Sequence, residues 1–126
     1  MSLTNTFETR VLEWLLTTGS PTRPTAWYVG LFTAAPGETG GGTEVSGGSY
    51  ARESVTFTVS GDTATNNAAL EFPVATADWG TITHVAIFDA LTSGNMIAYA
   101  ALSAAKTIET GDVLRIPATD LDVTLD

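Results

Sequence analysis

Trp79-Gly-Thr-Ile-Thr-His-Val-Ala-Ile-Phe-Asp89 is the stretch that decides the fold. Side chains alternate faces along a strand, so Ile82, His84, Ala86 and Phe88 fall on one side and Val85 and Ile87 on the other. A strand apolar on both faces is covered on both. Leu91-Thr-Ser-Gly-Asn95 follows as a turn, and Met96-Ile-Ala-Tyr-Ala-Ala-Leu102 as a second apolar run. Strand, turn and strand predict a central hairpin of a small β domain.

Further strands are expected on either side of it. Upstream, Ala26-Trp-Tyr-Val-Gly-Leu-Phe-Thr33 is rich in aromatic and branched residues, with Gly30 marking a bulge or a close backbone approach. From Tyr50 to Ser60, Val55, Phe57 and Val59 alternate with Ser54, Thr56 and Thr58, a half-buried pattern. Gly61 to Asn67 reads as turn material, and Ala68–Phe72 as a short strand stopped by Pro73. Ala75–Asp78 leads into the hairpin as a loop. Downstream come a turn at Glu109–Asp112 and strands over Val113–Pro117 and Leu121–Leu125. The expected fold is mainly β: an antiparallel β-sandwich, jelly-roll-like or Ig-like, of about seven strands after one N-terminal amphipathic helix. Strands do not alternate with helices, which argues against a parallel α/β sheet.

The helix is read from Asn5-Thr-Phe-Glu8, which has capping-box spacing, with Asn5 as N-cap. Phe7, Val11 and Leu15 recur at helical spacing with Leu12 and Leu16, and Trp14 sits at the edge of this face. Gly19 is placed to end the helix and Pro21 to prevent its resumption. A helix of about 13 residues is marginal alone. Its apolar face therefore docks, on the domain's own sheet or on a neighbouring subunit.

Between Pro36 and Ser49 lies a Gly-rich loop, long for a compact domain. It lacks the Gly-Lys-Ser/Thr ending of a phosphate-binding loop and carries Glu38 and Glu44. Two readings remain: a flexible surface hairpin, or an arm that orders against a partner.

Length predicts one domain over residues 1–126, with the helix in 1–19, the sandwich in 26–126 and the loop at 36–49. There is no cysteine, which excludes disulfides, thiolate chemistry and Cys-based zinc sites. Five basic residues stand against 14 acidic ones, net −9, so neither nucleic acid nor an anionic membrane is an expected partner. A secretory leader and a membrane-spanning run are not evident, and a soluble protein is expected.

No catalytic constellation stands out. His84 is the lone histidine and reads as a hydrogen-bonded core or interface residue. The acidic residues Glu109, Asp112, Asp120, Asp122 and Asp126 could gather around a calcium ion or serve as a glycosidase pair, but they lack EF-hand spacing, and alternation on an exposed strand explains Asp122 and Asp126 as well. No cofactor is expected. Trp14, Trp27 and Trp79, with Tyr28, Tyr50 and Tyr99, could form a sugar platform or serve as core and interface anchors. Arg52, in a chain short of positive charge, is expected to pair with Glu53 or Glu71, or across a subunit boundary.

Four segments stand in order: Gly47-Gly-Ser-Tyr-Ala-Arg-Glu-Ser-Val-Thr-Phe57, Asn66-Asn-Ala-Ala-Leu-Glu-Phe72, Trp79–Asp89 and Gly94-Asn-Met-Ile-Ala-Tyr99. With the N-terminal helix and the Trp-Tyr-Val-Gly-Leu-Phe strand, this order resembles a family of small tailed-bacteriophage virion proteins labelled tail fibre proteins. The resemblance covers nearly the whole chain and rests on structural motifs. It departs at Glu53, where glutamine is expected after the arginine. It implies a non-enzymatic part of a phage particle, assembled in the host cytoplasm. Its expected partners are further copies of itself, with a trimer favoured, and other virion proteins such as the major capsid or tail proteins. Two jobs compete: a capsid decoration protein, favoured because the chain holds no shaft repeat, and a fibre or tail-tip component that could bind carbohydrate. Expected interface residues are Phe7, Val11, Trp14, Leu15, Trp27, Tyr28, Tyr50 and Arg52.

Overall fold

The computed structural model describes residues 1–125. Its elements are β1 (Ser2–Leu3), α1 (Asn5–Leu16), β2 (Tyr28–Ala34), β3 (Thr43–Glu44), β4 (Glu53–Ser54), β5 (Phe57–Ser60), β6 (Thr63–Asn66), β7 (Leu70–Glu71), β8 (Gly80–Phe88), β9 (Met96–Ile108), β10 (Arg115–Ile116) and β11 (Asp122–Thr124). The protein is mainly β, with antiparallel sheets and one helix near the N-terminus. The larger sheet runs β1-β9-β8-β2-β3, with β4 also on β2; β10 pairs with β7, and β11-β6-β5 form a third sheet.

The β8–β9 hairpin is the centre of the larger sheet, as Trp79–Asp89 and Met96–Leu102 predict. Both faces of β8 are covered. Val29, Leu31, Ile82 and Val85 pack with Leu70, Phe72, Leu114, Ile116 and Leu121 from the smaller sheets and their connections. On the opposite face, Phe32, Ala86 and Phe88 form a second cluster against Met96 and Tyr99. β9 runs to Ile108, past the expected end. His84 pairs with Ala101 and Ile82 with Lys106, so Leu102–Ala105 stand opposite Thr83 alone in a wide bulge.

Gly30 is a close approach, the second of the two readings. A Cβ there would lie 2.8 Å from Glu44 Oε2 and 3.0 Å from the Phe88 ring.

Among the described residues eleven strands, most of them short, replace the seven expected. The Tyr50–Ser60 run divides into β4 on the large sheet and β5 on the three-stranded one, because Val55 turns into the core between them. Gly61–Asn67 is not all turn. Gly61 and Asp62 alone close the β5–β6 hairpin, with Gly61 at φ 63° in the first central position. Thr63–Asn66 then pairs on both sides, with β5 and with the distant β11.

The helix forms, but its ends differ from the expectation. Thr4 is the N-cap, not Asn5, and makes no side-chain cap bond. Its hydroxyl donates instead to the Met96 carbonyl at 2.7 Å, which ties the helix start to β9. The helix stops at Leu16, and the Thr17 hydroxyl donates back to the Glu13 carbonyl at 2.6 Å. Thr17 is extended, so Gly19 does not take the left-handed position assigned to it.

Candidate interaction surface

Only the first turns of α1 touch the body. Phe7 is buried and Val11 half-buried, while Leu12, Trp14, Leu15 and Leu16 are all more than half exposed, Leu16 to 77 %. At 100° per residue, the segment Val11–Leu16 is apolar nearly all round, with Glu13 its one charge. Docking along the whole helix on the domain's own sheet is therefore not what the structure shows. The guanidinium of Arg10 lies 4.7 Å from the Phe7 ring centroid and donates to the Thr22 carbonyl, which ties the segment between α1 and β2 to the helix.

Beside the helix runs an apolar groove of about 380 Å³. It is lined by Phe7 and Val11 of α1, by Pro24 and Trp27, and by Val59, Ala64 and Leu125 of the three-stranded sheet region. Val59 and Leu125 are exposed on its rim. Arg23 and Asp62 also border it.

The eight expected interface residues thus separate. Phe7, Val11, Trp14, Leu15 and Trp27 gather at the helix and groove; Tyr28 is half-buried on β2. Tyr50 and Arg52 belong to an internal cluster. Arg52 is buried and, within the chain, pairs with Glu44 and not with Glu53 or Glu71. Its Nε and Nη2 donate to the two Glu44 carboxylate oxygens at 2.8 Å each. Its Nη1 donates to the Ala90 and Ser93 carbonyls at 2.9 and 2.8 Å. The guanidinium therefore clamps the Gly-rich segment, β4 and the β8–β9 turn together. The backbone N–H of Leu31 donates to the Tyr50 hydroxyl at 2.9 Å, which donates to Glu44 Oε2 at 2.7 Å.

The protonation states follow from this packing. Burial alone would raise the Glu44 carboxyl, but the hydrogen bonds from Arg52 and Tyr50 outweigh it and hold it below its ordinary value. Burial and the bond to Glu44 push the Tyr50 hydroxyl well above its usual range. Burial also raises Glu53, the position where the resemblance predicts a neutral glutamine.

The Gly-rich loop packs against its own chain. β3 lies within it, Val45 enters the core, and Gly48 accepts the Trp79 indole N–H at 2.9 Å. Glu38 Oε1 accepts from the Tyr99 hydroxyl at 2.9 Å and the Ser2 hydroxyl at 3.2 Å, and this bond raises the Tyr99 pKa. Glu38 Oε2 is buried with no donor from the protein.

Tyr50 and Trp79 meet edge to face in the core, which takes both out of the sugar platform. His84 Nδ1 lies 2.8 Å from the Thr83 hydroxyl. Asp112 and Asp78 accept the backbone N–H groups of Glu109 and Thr110, which accounts for them as turn caps. Among the described residues no three His, Asp or Glu side chains converge as a metal site, and no helix is long and apolar enough to cross a membrane. Asp126 lies outside the described residues.

One buried polar residue carried no sequence signal. Asn66, wholly buried, donates from Nδ2 to the Ala68 and Pro117 carbonyls at 3.0 Å each and accepts the Leu121 N–H at 2.9 Å. In sequence it is one polar residue among several between Gly61 and Asn67.

Fold and surface together describe a cysteine-free antiparallel β module that holds an apolar helix away from its body. The chain belongs to the podophage GP4 fiber I protein gp80 family, whose model matches residues 2–124. It is therefore a phage fibre family protein, and its family is one of virion components. No curated protein matches it in sequence.

Proposed function

We propose that this chain is a non-enzymatic structural module of a phage tail fibre, which self-associates through α1 and joins other virion proteins. The observation that carries this reading is the exposed Leu12, Trp14, Leu15 and Leu16 on a helix anchored only by its first turns. Four large apolar side chains left together in water favour burial at an interface. A short helix is marginal without such cover. A trimer is the favoured assembly. The net charge of −9 disfavours nucleic acid and anionic membranes as partners.

Capsid decoration is the second reading. Its support is that these 126 residues hold no repeated shaft unit. The fibre reading takes precedence because the family is a fibre family. Quantitative mass spectrometry of purified particles, against the major capsid protein, tests both. A small fraction of the capsid protein's copy number supports the fibre. Near parity supports decoration, and absence from clean particles overturns both.

A further inference from the structure

We infer that copies of this chain join head to tail, with the last turns of α1 from one copy seated in the groove between α1 and the three-stranded sheet of the next. This rests on the self-association proposed above and specifies its geometry.

The molecule carries both halves of such a contact. The insert is Trp14, Leu15 and Leu16, exposed to 68 %, 60 % and 77 %. The receptacle is the apolar groove of about 380 Å³, of a size to take an indole and a neighbouring leucine. A tryptophan entering an apolar pocket is the usual energetic centre of an interface. The helix cannot fill its own groove. Phe7 and Val11 line the groove, and a rigid helix does not bend back into a cleft it borders. A second copy offers the missing segment.

Charge agrees with this assignment. Glu13 is the one charge in the inserting segment, and Arg23 borders the receptacle. Asp62 borders it too, so in this assignment Glu13 of the inserting copy faces Arg23 and turns away from Asp62. The two surfaces are different parts of the molecule, so the contact is heterologous. It closes into a ring or continues as a filament according to the rotation between copies.

Complementation tests this. Trp14→Glu with Leu16→Glu disables the insert; Val59→Glu with Leu125→Glu disables the receptacle. All four positions are exposed, so both double variants keep the β fold, checked by far-UV circular dichroism. Masses are measured by light scattering on size-exclusion chromatography. The wild type is expected to be oligomeric and each variant monomeric alone. Their equimolar mixture forms a dimer of one copy of each, since one intact insert and one intact receptacle remain. An oligomeric wild type whose variants do not complement overturns the head-to-tail geometry and leaves self-association standing. An insert variant that keeps the wild-type mass also overturns the geometry. A monomeric wild type overturns the self-association reading itself.

Discussion

The guanidinium of Arg52 lies 3.5 Å above the centroid of the Phe88 ring. The contact sets the arginine between an aromatic face and the Glu44 carboxylate. It joins the residue just before β4 to the last residue of β8. Removing the charge leaves Glu44 with the Tyr50 hydroxyl alone and takes this donor from the Ala90 and Ser93 carbonyls. Breaking one side of a fully buried ion pair costs roughly 3–5 kcal/mol. Glu44 is only half-buried and keeps Tyr50, so Arg52→Met is expected to fall at or below the lower end of that range, read by urea denaturation. Arg52→Lys recovers only part of it, because an ammonium cannot form the two-pronged bond.

The same cluster sets a pH window at each end. Glu44 is held low in the folded state, so its contribution is complete above the unfolded value of about 4.3 and is lost as pH falls below it. Tyr50 is held high, so its contribution is complete below about 10 and is lost as pH rises beyond. Thermal midpoints across pH are expected to fall at both ends. Tyr50→Phe flattens the alkaline limb and lowers the plateau. An unchanged alkaline limb in that variant would refute the assignment.

Gly30 faces Glu44 and Phe88 too closely for a side chain. Overpacking a tight site costs about 1–3 kcal/mol. Gly30→Ala is expected to lower the urea midpoint accordingly, although its φ is ordinary. Adding Glu44→Gln to that variant does not restore it, because the amide fills the same space as the carboxylate and the Phe88 ring also remains in the way.

Asn66 closes three backbone groups in the core with one amide. Each buried group left without a partner costs about 1–3 kcal/mol. Asn66→Ala is expected to unfold the protein or lower its stability by at least about 3 kcal/mol. Hydrogen exchange at the Leu121 amide, whose acceptor is removed, reports the loss at that site.

Thr119 is a β-branched residue at φ 70°, held there by a hydrogen bond from its N–H to the Asn66 carbonyl at 2.9 Å. That conformation costs about 1 kcal/mol or more. Thr119→Gly is expected to raise the thermal midpoint, and Thr119→Val to leave it no higher.

The sequence made legible what short-range pattern controls. The β8–β9 hairpin, the helix and the close approach at Gly30 all follow from periodicity or from residue type. Thr63–Asn66 did not, because its small polar residues read as turn material while in the fold they pair on both sides, with β5 and with the distant β11. The partner of Arg52 was hidden for the same reason. Glu44 reaches it only after the Gly-rich segment folds back against β2. Tyr50 and Arg52, two residues apart at a strand entry, were a usable signal that both point the same way. The helix cap was misread because Thr4 directs its hydroxyl to β9. The anchoring at Asn66 left no mark that distinguishes it from a turn.

The bulge at Leu102–Ala105 has a consequence for crowding. β1 covers the outer side of β9 only at Ala98 and Tyr99, so the rest of that strand is an edge of the large sheet. Copies gathered at high local concentration could fuse along such an edge without limit. Four residues bowed out against one, with Lys106 directly after them, deny a neighbour the flat surface that strand addition needs. The irregularity acts as a guard against open-ended strand pairing along this edge.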